Sequence, residues 1–512
     1  MSDRRPTSPR SDRGARTARE RRVEFGDFQT PPELAREVVE CLARSARAPA
    51  SIVEPTCGRG HLLAAALERW TDARVAVGVE VQAAHLEAAR LRLAAVPSTC
   101  DVRLELGDFF ALDWRATLAA LPEPILIVGN PPWVTNAAVG RLDGTNLPTK
   151  STASGLTGIA ARTGASNFDV SESMLGTLLD ASAGRDVEWA FLCKTTVARK
   201  ILARAWKRDA PLASAAVRTI DATRWFDATV DACLLHVRLD RITSSRAGDR
   251  ACVHARDLES DAGPRFGWRD GGLVADVDAH DRRVTLAGPS PLRWRSGIKH
   301  DAAAVMELTV DGTELVNGLG ERVDVESELV FPMLKSSQIT PGRALVPTRR
   351  MLVPQRTTGE DTTALAETAP RAWAYLNRHA SRLDGRKSSI YRGRARFALF
   401  GVGPYAFAPW KVAISGFYKR LAFTLVPPYR GRPVVLDDTA YFLPCDTREQ
   451  AESLAEWLAS DAAREFLNAR VFWDSKRPVT AELLNGLDLR ALAHELDRGS
   501  EWAELFERTR TP

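Results

Sequence analysis

The chain has 512 residues, 45% of them hydrophobic and 26% charged, with a formal net charge of +5 at pH 7. This length predicts two or three domains. No apolar run reaches the ~20 residues of a membrane span, and no apolar segment follows the Arg-rich N-terminus, so neither a membrane anchor nor a secretory signal is expected.

The charge is uneven. Residues 1–22 hold eight Arg against Asp3, Asp12 and Glu20, so this arm carries the whole net charge and the rest of the chain balances. With almost no apolar side chains the arm is predicted to be disordered. It reads equally as a phosphate-binding arm or a solubilising tail. The seven cysteines (41, 57, 100, 193, 233, 252 and 445) form no CxxC pair and no Cys/His cluster with zinc spacing. That pattern predicts free thiols in a reducing cytoplasm and no metal.

The first folded element opens at Phe28-Gln29-Thr30-Pro31-Pro32-Glu33. Thr30 is predicted to cap a helix, with Pro31 at its first position and Glu33 completing a capping box. Leu34, Val38 and Leu42 then recur on one face. Residues 51–54 predict a short strand that ends in Glu54 and runs into Pro55-Thr56-Cys57-Gly58-Arg59-Gly60, followed by a helix. A strand, a Gly-containing turn and a helix make the first unit of a nucleotide-binding sheet. Leu63 stands where a dinucleotide fingerprint needs its third glycine, which disfavours NAD. An acid at this strand end suits a ligand that carries an ammonium group. Residues 74–79 predict a second strand closed by Glu80, placed to bind ribose hydroxyls. Residues 102–106 predict a third, followed by Asp108 and Phe109, a carboxylate and a ring that suit an adenine. The fourth, residues 125–128, is wholly apolar and ends in Gly129-Asn130-Pro131-Pro132-Trp133. The two prolines remove two backbone donors and stiffen the turn. What remains is an amide side chain, carbonyls without partners of their own and a large aromatic face, which suits an exocyclic amine on a flat ring.

Four acid- or amide-tipped strands in succession resemble the class I S-adenosylmethionine-dependent methyltransferases: an α/β, Rossmann-like, doubly wound and mostly parallel sheet. With Phe28–Pro32 upstream and NPPW downstream, the chain is more narrowly similar to the gamma group of restriction–modification methyltransferases, which methylate adenine N6 in DNA. The resemblance implies that Thr30, Glu54 and the loop of Thr56, Cys57, Gly58 and Gly60 hold the methionine end of S-adenosyl-L-methionine. It assigns the ribose to Glu80 and the adenine to Asp108 and Phe109. Asn130, Pro131, Pro132 and Trp133 become the catalytic motif, with Trp133 in place of the usual Tyr or Phe, and Phe226 the aromatic that stacks the target base. Residues 140–175, rich in Gly, Ser, Thr and Ala, resemble the loop that closes over an extruded base. Residues 188–201 are expected to continue the catalytic sheet, and 230–239 to form a late strand.

From about residue 240 the βα alternation fades. A connecting region is expected over 241–290, and an α+β target-recognition domain over 243–512 follows the arm (1–22) and the catalytic domain (23–242). Residues 378–396 hold seven Lys or Arg against one acid, beside aromatics and glycines. That interleaving suits phosphates and bases. Lys299, Arg386, Lys387, Arg392, Arg394, Lys411, Lys419, Lys476 and Arg477 are the expected contacts to double-stranded DNA. Residues 449–470 and 481–496 predict closing amphipathic helices.

The implied reaction is methyl transfer to adenine N6 by base flipping, with a separate restriction endonuclease or defence subunit as a further partner. N4-cytosine, RNA and protein glutamine stay open as substrates, because an amide–carbonyl pair serves any planar amine or amide. Cytosine C5 methylation is disfavoured, since it needs a nucleophilic Cys and the only Pro-Cys pair, Pro444-Cys445, lies far past the cofactor motifs.

Overall fold

The computed structural model describes residues 28–45, 47–134, 169–241, 250–339 and 345–507. The arm at 1–22 and most of the loop expected at 140–175 lie outside the described residues. The chain divides into two compact units, Met1–Leu273 and Val274–Pro512.

The first unit is built on a ten-stranded sheet. Its strands are β1 (Ser51–Glu54), β2 (Val75–Glu80), β3 (Asp101–Leu106), β4 (Ile125–Gly129), β5 (Val187–Lys194), β6 (Leu212–Ile220), β7 (Ala232–Leu239), β8 (Ala251–Ala255), β9 (Arg265–Arg269) and β10 (Gly272–Val274). In space they run β10-β9-β8-β6-β7-β5-β4-β1-β2-β3. β1 is parallel to β2 and β4, β2 to β3, and β4 to β5. β7 runs antiparallel between β5 and β6. The central strands β1 and β4 are buried at every position, which is why β4 reads as an unbroken apolar run and why β1 keeps Ile52 and Val53 side by side instead of alternating. β3, at the sheet edge, carries its exposed polar residues accordingly.

Described helices of this unit are α1 (Pro32–Ala43), α2 (His61–Arg69), α3 (Ala83–Ala94), α4 (Trp114–Ala119), α5 (Val170–Ala181), α6 (Thr195–Lys207) and α7 (Ala222–Phe226). Leu34, Val38 and Leu42 of α1 pack with Leu63 of α2 and Ile52 of β1 in one apolar cluster. Three local expectations are corrected. α1 starts one residue late, with Pro31 as an extended cap whose ring offers no side-chain acceptor, and the Thr30 hydroxyl accepts from Asn130 Nδ2. The expected sheet stretch at 188–201 is strand only to Lys194, after which α6 begins. From Val170 onward the expected loop is helix α5, capped by the Asp169 side chain on Ser171 N. The region at 241–290 contributes β8, β9 and β10 to the sheet edge, so the first unit extends past residue 242 to Leu273.

The second unit is α+β. A four-stranded antiparallel sheet joins Arg295–Ser296, Ala440–Cys445, Trp410–Ser415 and Thr424–Val426. Helices Arg448–Leu458 and Asp461–Arg470 bury Leu454, Trp457 and Phe466 with Val412, Ile414 and Leu443 of that sheet. A six-stranded mixed sheet centred on Glu307–Asp311 and Arg349–Leu352 forms a separate core. Among the described residues no helix is long and apolar enough to cross a membrane, and no group of three or more His, Cys, Asp or Glu is placed to hold a metal ion.

Candidate active site at the switch point of the sheet

From β1 the chain winds outward through β2 and β3, then crosses back to β4 and β5 on the other side. In open α/β sheets the crevice at such a reversal, outside the carboxyl ends of the strands, is where ligands bind. A cleft lined by residues of the strand ends and the turns that follow them lies there.

Two carboxylates tip β1 and β2 and line this cavity. Glu54 is 3% exposed, and its Oε2 accepts from Leu63 N at 3.0 Å. Glu80 accepts from Gly58 N at 2.9 Å and from Gln82 N at 2.8 Å. Burial pushes the Glu54 carboxyl well above the usual range; the Leu63 amide opposes this and the Glu80 charge adds to it. Among the described residues no Lys, Arg or His forms an ion pair with Glu54. A buried carboxylate without a counter-ion holds its charge poorly, so the site favours a ligand that brings a cation.

Between the two acids runs the Thr56–Gly60 loop. Gly58 (φ +50°) and Gly60 (φ +74°) stand in the left-handed region that glycine adopts without steric cost. A Cβ on Gly58 would meet Gln29 Oε1 at 2.4 Å, and one on Gly60 would meet Ala89 Cβ at 3.0 Å. Gln29 thus clamps the loop, its Oε1 accepting from Arg59 N at 3.0 Å. Gly60 does not line the cavity; it lets α2 start against α3. Thr56 and Cys57 do line it. Burial, then the charges of Glu54 and Glu80, push the Cys57 thiol up, so it stays protonated. Asp108 caps the turn after β3, accepting from Phe110 N at 3.0 Å. Phe109 packs on Trp114 at 5.0 Å between ring centroids. Both border the cavity.

Asn130, at the end of β4, donates through Nδ2 to Phe28 O at 2.7 Å and to Thr30 Oγ1 at 3.2 Å. A carbonyl only accepts, so the Phe28 contact fixes which way the amide faces. Its Oδ1 is left buried with no hydrogen-bond partner among the described residues. An unpaired buried acceptor is costly and is rare without a use. Asn130 and Pro132 line the cavity, whereas Pro131, Trp133 and Phe226 do not. Trp133 is 5% exposed and Phe226 3%. The indole packs against Phe28 (centroids 6.0 Å, interplanar 28°) and Phe226 (5.0 Å, 68°), which also meet each other edge-on at 6.5 Å. The two aromatics expected at the target base are thus brought together, but the expected open face on Trp133 is covered by Phe28, because both rings are drawn into the apolar cluster beside α1 and α7.

Gln29, Val81, Gln82, His85 and Met174 also line the cavity and were not anticipated. Gln29 sits inside the motif already singled out, and Val81 and Gln82 follow Glu80 directly, so adjacency was the available signal. Nothing in the sequence pointed to His85 or Met174.

In the second unit, Lys387, Arg392, Arg394, Lys419 and Lys476 are exposed. Lys419 donates to Trp473 O, and Arg477 stacks on Phe417 at 4.8 Å. Lys299 pairs with Asp301 at 3.2 Å and Asp438 at 3.9 Å. Two expected DNA contacts are corrected. Lys411 is 1% exposed; its Nζ donates to Ala408 O at 2.5 Å, and burial lowers its pKa to about 7. Arg386 spends its guanidinium on Leu383 O at 2.7 Å and Ala398 O at 2.8 Å and lies 3.7 Å over the Tyr391 ring. It ties the basic segment together instead of facing outward.

A mixed α/β sheet with this cavity at its switch point is the fold of the class I methyltransferases. The type IIL restriction-modification enzyme MmeI, solved in complex with DNA, shares that fold with a TM-score of 0.52 at 13% identity, over 96% of this chain and 69% of its own. No family model matches the chain. The type II methyltransferase M.NspV of Nostoc sp. is 41% identical over 474 residues, which span 92% of this chain and 98% of that protein. The chain belongs to the type II methyltransferases.

Proposed function

We propose that this methyltransferase uses S-adenosyl-L-methionine to methylate adenine N6 in double-stranded DNA. The observation that carries the reading is the orphaned Oδ1 of Asn130, a residue that lines an acid-lined cavity and whose Nδ2 is held by Phe28 O and Thr30 Oγ1. Glu54 would hold the ligand's ammonium group, Glu80 the ribose, and Asp108 with Phe109 the adenine ring, while Thr56, Cys57 and Gly58 form the floor. When bound, S-adenosyl-L-methionine supplies an electrophilic methyl on a sulfonium sulfur.

The adenine amine is a weak nucleophile because its lone pair is delocalised into the ring. Asn130 Oδ1 and the Pro131 carbonyl each accept one N6 hydrogen, which draws the nitrogen out of conjugation and fixes its direction. The contribution is positioning and electrostatics. No protein nucleophile is required, in keeping with the protonated Cys57. The target lies inside a duplex, so it must be extruded. Trp133 and Phe226 receive it once the Phe28 ring is displaced. The second unit reads as the target-recognition domain, with Lys387, Arg392, Arg394, Lys419, Lys476 and Arg477 toward the DNA and a separate endonuclease as partner. Preference for adenine over cytosine N4 rests on the resemblance to the gamma group, since the same acceptors serve either amine.

The test is Asn130→Ala. Methyl transfer to duplex DNA should fall by roughly 100- to 1,000-fold, the loss expected for a donor–acceptor that acts on the reacting group. The dissociation constant for S-adenosyl-L-methionine should stay within threefold. Equal turnover by variant and wild type would overturn the assignment.

A further inference from the structure

β5 is apolar along most of its length yet ends in Lys194, whose side chain is 21% exposed and does not line the cavity. Its Nζ donates to the Trp133 carbonyl at 2.8 Å and to Asp169 Oδ2 at 2.6 Å. Asp169 is itself anchored: its Oδ1 accepts from Ser171 N at 3.1 Å and Ser171 Oγ at 2.6 Å, capping α5. Trp133 is gripped a second time by β5, where its Nε1 donates to Leu192 O at 3.2 Å. Val134 O accepts from Val170 N at 2.9 Å.

The register shows why this grip matters. Gly129 of β4 faces Phe191 of β5, so Lys194 emerges just beyond the turn that carries Asn130. Pro131 and Pro132 have no N–H, so the turn lacks two of the donors that would tie it down. Its carbonyls must be held from outside. Lys194 does so with a charge-assisted bond, which is short and strong, and thereby occupies the Trp133 carbonyl while leaving the Pro131 carbonyl to the amine.

We propose that Lys194 is a positioning residue for methyl transfer: bridging the Trp133 carbonyl to the Asp169-capped end of α5, it fixes the main chain of the NPPW turn so that Asn130 Oδ1 and the Pro131 carbonyl converge on one amine. The inference rests on the reading that these two atoms accept the amine hydrogens. A displacement of about 1 Å at a reacting centre costs on the order of 100-fold in rate, so the bridge acts on turnover rather than on affinity. A purely structural ion pair would instead weaken folding and both substrate sites together.

The experiment is steady-state methyl transfer to duplex DNA by wild type, Lys194→Met, Lys194→Gln, Lys194→Arg and Asn130→Ala in parallel. Lys194→Met should lower kcat by roughly 30- to 100-fold with KM for DNA and for S-adenosyl-L-methionine within threefold. Lys194→Arg, which keeps charge and donors, should recover to within about fivefold of wild type. Should Lys194→Met fail to fold, Lys194→Gln carries the comparison, with an expected kcat about tenfold down and both KM values unchanged. A wild-type kcat in the neutral variants, or a loss seen only as raised KM for both substrates, would overturn the role. If Asn130→Ala is inactive while Lys194→Met runs at the wild-type rate, only the inference about Lys194 falls. If Asn130→Ala is fully active, the acceptor reading falls and the inference with it.

Discussion

Among the described residues, the most buried glutamate of each unit meets an opposite fate. Glu307 in the second unit is 4% exposed and Glu54 in the first 3%. Around Glu307 the fold supplies its own cations, Lys335 Nζ at 2.7 Å and Arg349 Nη1 at 2.9 Å, with the His300 imidazole Nε2 at 3.4 Å. Burial alone would raise its pKa, but the bonds from His300 and Lys335 outweigh that and bring it to about 2. Glu54 receives an amide N–H from Leu63 and the repulsion of Glu80, and its pKa moves the other way. A buried carboxylate that comes with its cations is a finished piece of structure. One that lacks them sits in a cleft with a perturbed pKa, which marks a functional site.

Several substitutions break or sharpen this contrast. The largest effect falls on Glu54→Gln, which removes the charge but keeps the shape. Losing a charged partner is worth roughly 1.5–3 kcal/mol, so the dissociation constant for S-adenosyl-L-methionine should rise about 10- to 150-fold by titration. Glu307→Gln should leave that constant unchanged and destabilise the second unit instead. Lys335 and Arg349 are a third to a half exposed, and water takes over part of their pairing. The expected loss in denaturant unfolding is therefore roughly 2 kcal/mol, below the range for a fully buried pair.

The pH dependence separates the two carboxylates by sign. Glu54, raised in the folded state, contributes stability that is fully present below the ordinary range near 4.3 and is lost as pH rises through its raised value. Its neutral form must lose a proton to pair with a cationic ligand. Above the ordinary carboxylate range the affinity for S-adenosyl-L-methionine should therefore climb with pH, by up to about tenfold per unit, until the raised value is passed, and Glu54→Gln should flatten the curve. Glu307 is depressed, so its contribution is present above about 4.3 and is lost as pH falls toward about 2. Unfolding of the second unit by acid should reflect that loss, and Glu307→Gln should remove it. The smallest effect is expected for Lys411→Met. It replaces a buried amine that donates to Ala408 O and lies 5.7 Å over the Phe442 ring with an apolar chain of similar length, and should raise Tm by about 2–4 °C without changing DNA affinity.

Much of the first unit was legible because central parallel strands announce themselves: 125–128 is a wholly apolar run followed by Gly129 and Asn130, and Ile52-Val53 runs into Glu54, so each strand leads to a residue that the fold places at the cavity. Glu54, Glu80, Asp108 and Asn130 all reach it, since a strand end fixes where its last side chain goes. What stayed hidden depended on packing between distant segments. Lys194 and Asp169 lie 25 residues apart with no periodic signal joining them. Trp133 read as a stacking face, and only the position of Phe28 shows it covered. In the second unit, basic residues among aromatics looked alike in the sequence. Lys411 sits on a strand flanked on both sides by other strands, and Arg386 is turned onto backbone carbonyls, whereas Lys387 and Lys476 are exposed. Charge pattern alone does not distinguish a cation facing solvent from one that closes a turn.

The most direct test of the account is incubation of the full chain with methyl-labelled S-adenosyl-L-methionine and duplex DNA, followed by digestion to nucleosides. The account predicts label in N6-methyladenine and nowhere else. Label in N4-methylcytosine would contradict the choice of base while keeping the role of Asn130, and absence of label from any DNA, with the cofactor still bound, would contradict the proposed reaction itself.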